Sequence, residues 1–330
     1  MKKRWNLLLI VLFLMVIQFW ANTGFAADSG DVKVTYRLKW LFNVSVLGDL
    51  YAREMGIFKK AGFDVTVKEG GPERDAIREL ELGYADFGVA SADQVIRARS
   101  KGSPVVVLAQ LFQVNPLQWV YRPDLIDISQ VKDFKGKIIG VTFGGNDETI
   151  MRTLLAKGGM SEGDVRIHSV RYDLTPFFRG KADLWPVYVN SQGPIISQKL
   201  NQAGEKVAFF NPSAHGVRFV ANSVVTSARM IQEHPDTARR FVQALLQGWE
   251  AAFKHENTEA ALEMLARFDK NTPGPILEKQ FMITRNLVKP GDDVAIGTFN
   301  VAAWKQTEKI MLDQKLIKTP VDVDKVLIQF

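Results

Sequence analysis

The chain is rich in side chains that bind ligands and poor in side chains that catalyse reactions. It contains no Gly-x-Ser-x-Gly nucleophile turn, Walker A phosphate loop or His-Glu-x-x-His zinc motif. Its histidines, His168, His215, His234 and His255, are scattered, and no two have the spacing of metal ligands. The absence of cysteine excludes a thiol nucleophile and a thiolate metal site. The sequence therefore predicts a non-enzymatic protein without a metal or a cofactor.

Aromatic and amide side chains accompany the ends of predicted strands in both halves of the chain. Trp40 and Asn43 follow the first predicted strand, and Trp185, Tyr188 and Asn190 accompany a later one. Ligands of open α/β sheets bind beyond the carboxyl ends of the strands. These side chains therefore predict a cleft in which a flat ligand stacks on the rings and hydrogen-bonds to the amides. Packing in the core is the alternative role for each ring.

A short turn, Phe143–Glu148, links a predicted strand to the start of a predicted helix. Gly144 and Gly145 let a ligand approach the backbone, and the free N–H groups of a helix that begins near Asn146 can hold a polar group. The turn ends with Asp147 and Glu148, whose negative charges are favourable in the first turn of a helix. The same charges argue against a phosphate as the ligand. Capping without ligand binding is the alternative. The predicted ligand contacts are Trp40, Asn43, Ser91, Gln118, Gly144, Gly145, Asn146, Trp185, Tyr188 and Asn190.

Alternating strand and helix patterns place these side chains in two α/β sets, over residues 32–112 and 137–210. Single helices between strands predict βαβ units with parallel pairing. From Thr226 onward the pattern is mostly helical, and Asp236–Lys254 has apolar residues four apart along one face. These C-terminal helices have no sheet of their own and must cover one that is already formed.

The simplest arrangement returns the chain to the first α/β set. It predicts an α/β fold with two lobes around a cleft that closes by a hinge. Lobe 1 comprises residues 31–116 and 221–330, and lobe 2 comprises residues 117–220. Two crossing segments, near Asn115–Arg122 and near Pro212–Asn222, join them. Two independent domains in series are the alternative.

The first residues have the pattern of a cleaved secretory signal. A basic head, Lys2–Arg4, precedes an apolar run, and small residues end at Ala26, the predicted cleavage site. The apolar run is shorter than the roughly 20 residues of a spanning helix, although a membrane anchor is the alternative. Removal of residues 1–26 lowers the formal net charge from +6 to +3. No basic patch remains, so nucleic-acid binding is not expected.

Five segments carry a family pattern in the same order, namely Leu38–Asn43, Tyr51–Val65, Gly83–Ala90, Phe134–Val141 and Gly180–Trp185. In these the chain resembles the periplasmic solute-binding proteins of ABC importers, in the branch of sulfonate, nitrate and thiamin-pyrimidine binders. The resemblance implies a type II two-lobed fold, a small-molecule ligand and the permease subunits of an importer as partners. A monomer in the periplasm is expected.

The chain also departs from this family pattern. Trp40 and Asn43 resemble an element of the pyrimidine-related branch, in which the Trp borders the ligand, but Lys39 and Val46 replace its usual Asp and His. The synthases of this branch carry a cysteine-rich motif, which this chain lacks, so their chemistry is not expected. Asn190–Pro194 replaces a common Asn-Glu-Pro motif, and amides in place of a carboxylate favour a neutral ligand over a cationic one.

The sequence thus predicts a periplasmic protein that delivers a small aromatic or heterocyclic nutrient to an ABC importer. A thiamin-precursor pyrimidine and riboflavin are the candidate ligands. One alternative is binding of an alkylsulfonate or an aromatic carboxylate. Others are a pyrimidine synthase of the same fold and a sensory module that presents the bound ligand to a receptor.

Overall fold

The computed structural model describes residues 30–71, 73–171 and 173–330, and the predicted signal lies outside the described residues. Residues 33–330 form one compact unit. The strands are β1 (Val32–Arg37), β2 (Phe63–Lys68), β3 (Phe87–Ala90), β4 (Val105–Gln110), β5 (Leu117–Tyr121), β6 (Ile138–Val141), β7 (Arg166–Ser169), β8 (Trp185–Tyr188), β9 (Ala208–Phe210) and β10 (Ser223–Ser227).

Helices connect the strands and fill the C-terminal third of the chain. They are α1 (Leu47–Glu54), α2 (Ile57–Lys60), α3 (Ala76–Leu82), α4 (Ala92–Arg99), α5 (Asn146–Lys157), α6 (Thr175–Phe178), α7 (Gln192–Gln202), α8 (Ala228–Glu233), α9 (Pro235–Ala252), α10 (Thr258–Phe268), α11 (Gly274–Val288), α12 (Val301–Asp313) and α13 (Val323–Val326). Among the described residues, no helix combines the length and the apolar character needed to cross a membrane.

The first sheet has the strand order β2-β1-β3-β10-β4. Strands β1 and β3 are parallel, whereas β10 runs antiparallel to both β3 and β4. The residues of β10 from Ser223 to Thr226 are buried, as expected for a central strand that is covered on both faces. The chain enters β10 only after it has completed the second sheet. We call this sheet and its helices lobe 1.

The second sheet, with its helices, forms lobe 2. Its strands are arranged as β8-β5-β9 and as a parallel pair β6-β7. A parallel bridge between Ile139 and Leu184 attaches β6 to the start of β8. Strand β5 runs antiparallel to β8 and β9. Each sheet is therefore completed by one antiparallel strand whose chain has just left the other lobe. The α/β class with two lobes is confirmed.

Both crossing segments continue into strands that the sequence pattern did not predict. Residues 117–121 were expected to belong to a connection, and they form β5. The chain was expected to be mostly helical from Thr226, yet β10 ends only at Ser227. Its Val224–Thr226 run is β-branched and favours a strand. The sequence pattern predicts one helix over Gly48–Lys60, but the structure divides it at Gly56, whose φ of 68° separates α1 from α2.

Helix α9 provides the largest aromatic contribution to the core of lobe 1. The Phe241 ring stacks on Phe87 at 3.9 Å and on Phe58 at 5.2 Å, and it meets Tyr36 and Phe63 edge to face at 5.3 and 6.1 Å. Such pairs add about 0.5–1.5 kcal/mol each beyond the burial of their area. The apolar stripe of α9 thus fixes this helix on strands β1, β2 and β3.

A carboxyl group lies inside this aromatic core. Asp49 of α1 is 1% exposed, and its Oδ1 accepts a hydrogen bond of 2.5 Å from the Tyr36 hydroxyl. Burial raises the pKa of Asp49 from 3.8 to about 7, and the hydrogen bond from Tyr36 offsets part of that rise. The protonated form of Asp49 is therefore the one that suits the folded state.

Replacing Asp49 with Asn should make the stability of the fold less dependent on pH. The folded protein keeps the Asp49 proton where the unfolded chain has already released it, so its free energy of unfolding falls as the pH rises from about 4 to about 7. The contribution is at most about 4 kcal/mol, at about 1.4 kcal/mol for each pH unit. Urea unfolding across this range measures the fall, which D49N should reduce. Asp64→Asn, on the exposed face of β2, is the control, and an unchanged slope in D49N would contradict the assignment.

Candidate ligand-binding cleft

A cavity of about 430 Å³ lies between the two lobes. Its walls come from the segment after β1, the turn between β6 and α5, and strand β8 with the residues that follow it. The volume falls in the range of about 300–1,000 Å³ that is typical of small-molecule sites. It lies beyond the carboxyl ends of β1 and β6, where ligands of α/β sheets bind.

The cavity wall includes seven of the ten predicted ligand contacts. They are Trp40, Asn43, Gly144, Gly145, Asn146, Trp185 and Tyr188.

The other three predicted contacts lie outside the lining. The Ser91 hydroxyl is 2.6 Å from Asp93 Oδ1, at the start of α4. Gln118 lies on β5, partly buried, and Asn190 is completely buried behind the cavity wall.

The two rings of β8 have different surroundings. Trp185 is 1% exposed and packs at 5.6 Å from the His168 ring, so most of its surface belongs to the core of lobe 2. A Cβ atom on Gly140 would lie 2.9 Å from Trp185 Cε3, so only glycine leaves room for the indole there. Tyr188 and Trp40 are partly exposed and come from opposite lobes. These two rings are therefore the better placed of the aromatic residues to face a ligand.

The glycine turn between β6 and α5 is already satisfied by its own acids. Gly144 N donates to Glu148 Oε2 at 2.7 Å, and Gly145 N donates to the Thr142 carbonyl at 2.9 Å. Asp147 Oδ2 accepts from Thr142 N at 2.6 Å. The N–H groups of both glycines thus have partners within the turn. The turn shapes the wall, with Gly144 at φ 79°, a conformation that glycine adopts readily.

Asp147 is the most strongly perturbed acid in the cavity wall. Burial raises its pKa from 3.8 to about 6, and the hydrogen bond from the Thr142 backbone and the charge of Lys39 offset part of the rise.

Lys39 is the main residue that the predicted set omitted. Its Nζ donates to the Tyr188 hydroxyl at 3.2 Å and lies 5.8 Å from the centre of that ring. Asn146 Nδ2 is 3.5 Å from the same hydroxyl. Because Lys39 precedes Trp40 in lobe 1 and Tyr188 ends β8 in lobe 2, this contact crosses the cleft. The position of Lys39, two residues beyond the end of β1, was the sequence signal that could have identified it.

Three further polar residues line the cavity without having been predicted. Arg74 precedes α3, Arg171 follows β7, and Asn222 precedes β10. Both arginines are exposed, and Asn222 is 3% exposed with no partner for its Oδ1 among the described residues. They line one cavity only after folding, since they come from distant segments.

A buried hydrogen-bond cluster joins the lobes behind the cavity. Asn190 Nδ2 donates to Ser45 Oγ at 3.0 Å and to Thr284 Oγ1 at 2.9 Å. Gln280 Nε2 donates to the Ser191 carbonyl at 2.7 Å. Ser45 and Ser191 both line the cavity, so this cluster ties the walls of the two lobes together. The amide hydrogens of Asn190 are thus used between the lobes.

Solved structures share this architecture. The alkanesulfonate-binding protein SsuA from Xanthomonas axonopodis pv. citri, bound to MOPS, superposes with a TM-score of 0.69 at 16% identity, over 92% of this chain and 100% of that chain. The molecule thus has the fold of the periplasmic binding proteins, in which two α/β lobes enclose a cleft.

The sequence places the chain in one family within that class. A family model described as NMT1/THI5 like matches residues 43–259, and the chain belongs to this family. The predicted resemblance is confirmed, and the family is one of solute-binding proteins of the ABC-import type.

Relatives of this chain with similar sequences are named for different functions. The riboflavin-binding protein RibY of Chloroflexus aurantiacus is 25% identical over 312 residues, which is 88% of this chain and 83% of that protein. The formylaminopyrimidine-binding protein of Halalkalibacterium halodurans is 26% identical, over 83% of this chain and 81% of its own. A 4-amino-5-hydroxymethyl-2-methylpyrimidine phosphate synthase of Legionella pneumophila is 22% identical, over 78% and 81%.

Replacing Asn190 with Ala should destabilise the protein. The change leaves the buried Ser45 and Thr284 hydroxyls without the donor that joins them, at a cost of about 1–3 kcal/mol. Urea unfolding measures the loss. Asn201→Ala, on the exposed end of α7, is the matched control and should stay within about 0.5 kcal/mol of the native protein. Equal stability of N190A and N201A would show that the cluster contributes nothing.

Proposed function

We propose that the protein captures a small aromatic or heterocyclic compound between its lobes and delivers it to an ABC importer. The observation that carries this proposal is the position of Trp40 and Tyr188, which line one cavity from opposite lobes. A flat ring held between them contacts both lobes at once. Binding therefore favours the closed arrangement, because only that arrangement offers both rings.

The cavity and the relatives support a ring compound. A volume of about 430 Å³ exceeds the needs of an inorganic ion and suits a molecule of one to three fused rings. Two relatives carry names of ring-compound binders, riboflavin and formylaminopyrimidine. We infer the same chemical class here, without choosing between those two ligands.

We further propose that the protein performs no chemistry on its ligand. The synthase relative raises the alternative of a pyrimidine-forming enzyme. Against it stand the absence of cysteine from the whole sequence and Val46 at the position where the pyrimidine-related pattern has His. The carboxyl groups of the cavity wall that have identified partners bond to backbone N–H groups, which suits capping rather than proton transfer.

The proposed place of action is the periplasm, after removal of the predicted signal. The permease subunits of the importer are the expected partners, since a binder must release its ligand to a membrane pore. A monomer with a single cleft is sufficient for this role.

Trp40→Ala should weaken binding of a ring compound at least tenfold, because the ligand loses one of its two stacking surfaces. The protein is first unfolded and refolded to remove any co-purified ligand. Calorimetric titration then uses riboflavin, 4-amino-5-hydroxymethyl-2-methylpyrimidine and a panel of substituted one- and two-ring heteroaromatics. A ligand at 100 times its dissociation constant should also stabilise the fold by about 2.7 kcal/mol.

Tyr84→Ala is the matched control, since Tyr84 is 66% exposed and lies outside the cavity lining. This variant should bind as tightly as the native protein. If no ring compound binds, or if W40A binds as tightly as Y84A, the proposed function is wrong.

A further inference from the structure

Three hydrogen-bond donors converge on one point of the cavity wall. The Tyr188 hydroxyl oxygen accepts from Lys39 Nζ at 3.2 Å and lies 3.5 Å from Asn146 Nδ2. A hydroxyl oxygen has two lone pairs, and these two donors use both of them. Its own hydrogen is left to donate, and no acceptor for it is found among the described residues. The structure thus presents donors at this point and lacks an acceptor.

The acids in and beside the cavity wall, Asp75, Asp147 and Glu148, accept hydrogen bonds from backbone N–H groups. Asp147 Oδ2 accepts from Thr142 N at 2.6 Å, and Asp75 Oδ1 accepts from Ile77 N at 2.8 Å, where it caps α3. Glu148 accepts from Gly144 N and pairs with Arg152 at 2.8 Å. These backbone donors offset part of the negative charge of Asp147 and Glu148, which would otherwise oppose an anion held near Lys39 more strongly.

The positive charges of the cavity wall have no carboxylate partners at ion-pair distance among the described residues. Lys39, Arg74 and Arg171 line the cavity, and within the described ranges no carboxylate lies within 4.0 Å of their charged nitrogens. Lys39 is also partly buried, and although its charge acts on Asp147, the two groups form no direct ion pair, so the cost of removing the cation from water is only partly offset. A bound anion would remove that cost.

We propose that the ring compound carries an acidic group, a carboxylate on an aromatic or heteroaromatic ring, and that this group binds to Lys39, Tyr188 and Asn146. The inference rests on the proposed function, since it assigns an orientation to a ligand of that same cavity. The carboxylate accepts from the Lys39 ammonium, the Tyr188 hydroxyl and the Asn146 amide. Hydrogen bonds with an ionised partner are roughly twice as strong as neutral ones, which makes Lys39 the residue that selects the acid.

A neutral carbonyl is the competing partner for the same donors, and the two are separable by experiment. Nicotinate and nicotinamide, and quinoline-2-carboxylate and its carboxamide, differ only in the charge and hydrogen-bonding of one group. Dissociation constants of each pair are measured by calorimetric titration for the native protein and for Lys39→Gln. Glutamine keeps a flexible donor of similar length and removes the charge.

In the native protein, each acid should bind at least tenfold more tightly than its amide. K39Q should reduce that ratio to within about threefold, mainly by weakening the acid. Added salt should weaken the acid more than the amide, since screening acts on the charge pair. Lys101→Gln, at an exposed turn after α4, is the matched control and should preserve the native ratio.

The outcomes separate this inference from the proposed function. If acids and amides bind with equal affinity, or if K39Q keeps the native ratio, the inference fails while ring binding stands. If neither member of any pair binds, and riboflavin and the pyrimidine also fail to bind, the proposed function fails as well. Preservation of the K39Q fold is checked by its thermal unfolding temperature.

Discussion

The pairing of β10 between β3 and β4 is the constraint on which the two-lobed arrangement depends. This strand reaches lobe 1 only after the whole of lobe 2 has been made, and the four residues from Ser223 to Thr226 are buried. Strand β5 has the equivalent position in lobe 2. Both connections are therefore anchored by central strands rather than by loops. The chain passes between the lobes in the stretches between β4 and β5 and between β9 and β10.

The cluster around Asn190 adds a third connection, made by side chains instead of by the backbone. It links the residues after β8 to the turn before α1 and to helix α11. The turn before α1 and the residues after β8 also contribute to the cavity wall, through Ser45 and Ser191 respectively. A change in the angle between the lobes must therefore alter the spacing of residues that line the cavity. This is a physical reason for coupling between occupancy of the cleft and the arrangement of the lobes.

Much of the fold could be predicted because its signals are local. The apolar stripe of Asp236–Lys254 becomes α9 on the core of lobe 1, and the Ser91 backbone N–H does donate to Gln94 at the start of α4. Strands β5 and β10 were missed because their assignment depends on pairing with residues far away in the sequence. Each of these strands has five residues. The local sequence does not distinguish either of them from a connection, because only pairing with a strand on each side identifies them.

The residues of the cavity wall were likewise predictable where the signal is local and unpredictable where it depends on distant residues. Residues within five positions of a strand end, such as Trp40 and Asn146, could be located from the pattern alone. Glu148 accepts from the nearby N–H of Gly144, a local contact of the kind that the capping alternative for the glycine turn allowed. The pattern could not reveal that Asn190 donates its amide hydrogens to Ser45 and Thr284. That outcome depends on hydrogen bonds between segments, which no spacing encodes. Lys39 was visible as a departure from the family pattern, and its contact with Tyr188 gives that departure a physical role.

The absence of cysteine from the whole sequence has a practical consequence for observing the cleft. Any cysteine introduced by mutation is the unique thiol, so a spectroscopic label can be attached at one chosen atom. Leu41 and Phe143 are 41% and 60% exposed and border the cavity from opposite lobes. Cysteines introduced at both positions and spin-labelled would therefore report the distribution of cleft widths in solution, with no native thiol to be labelled as well. A shift of this distribution on addition of a compound would make the labelled protein a sensor of that compound.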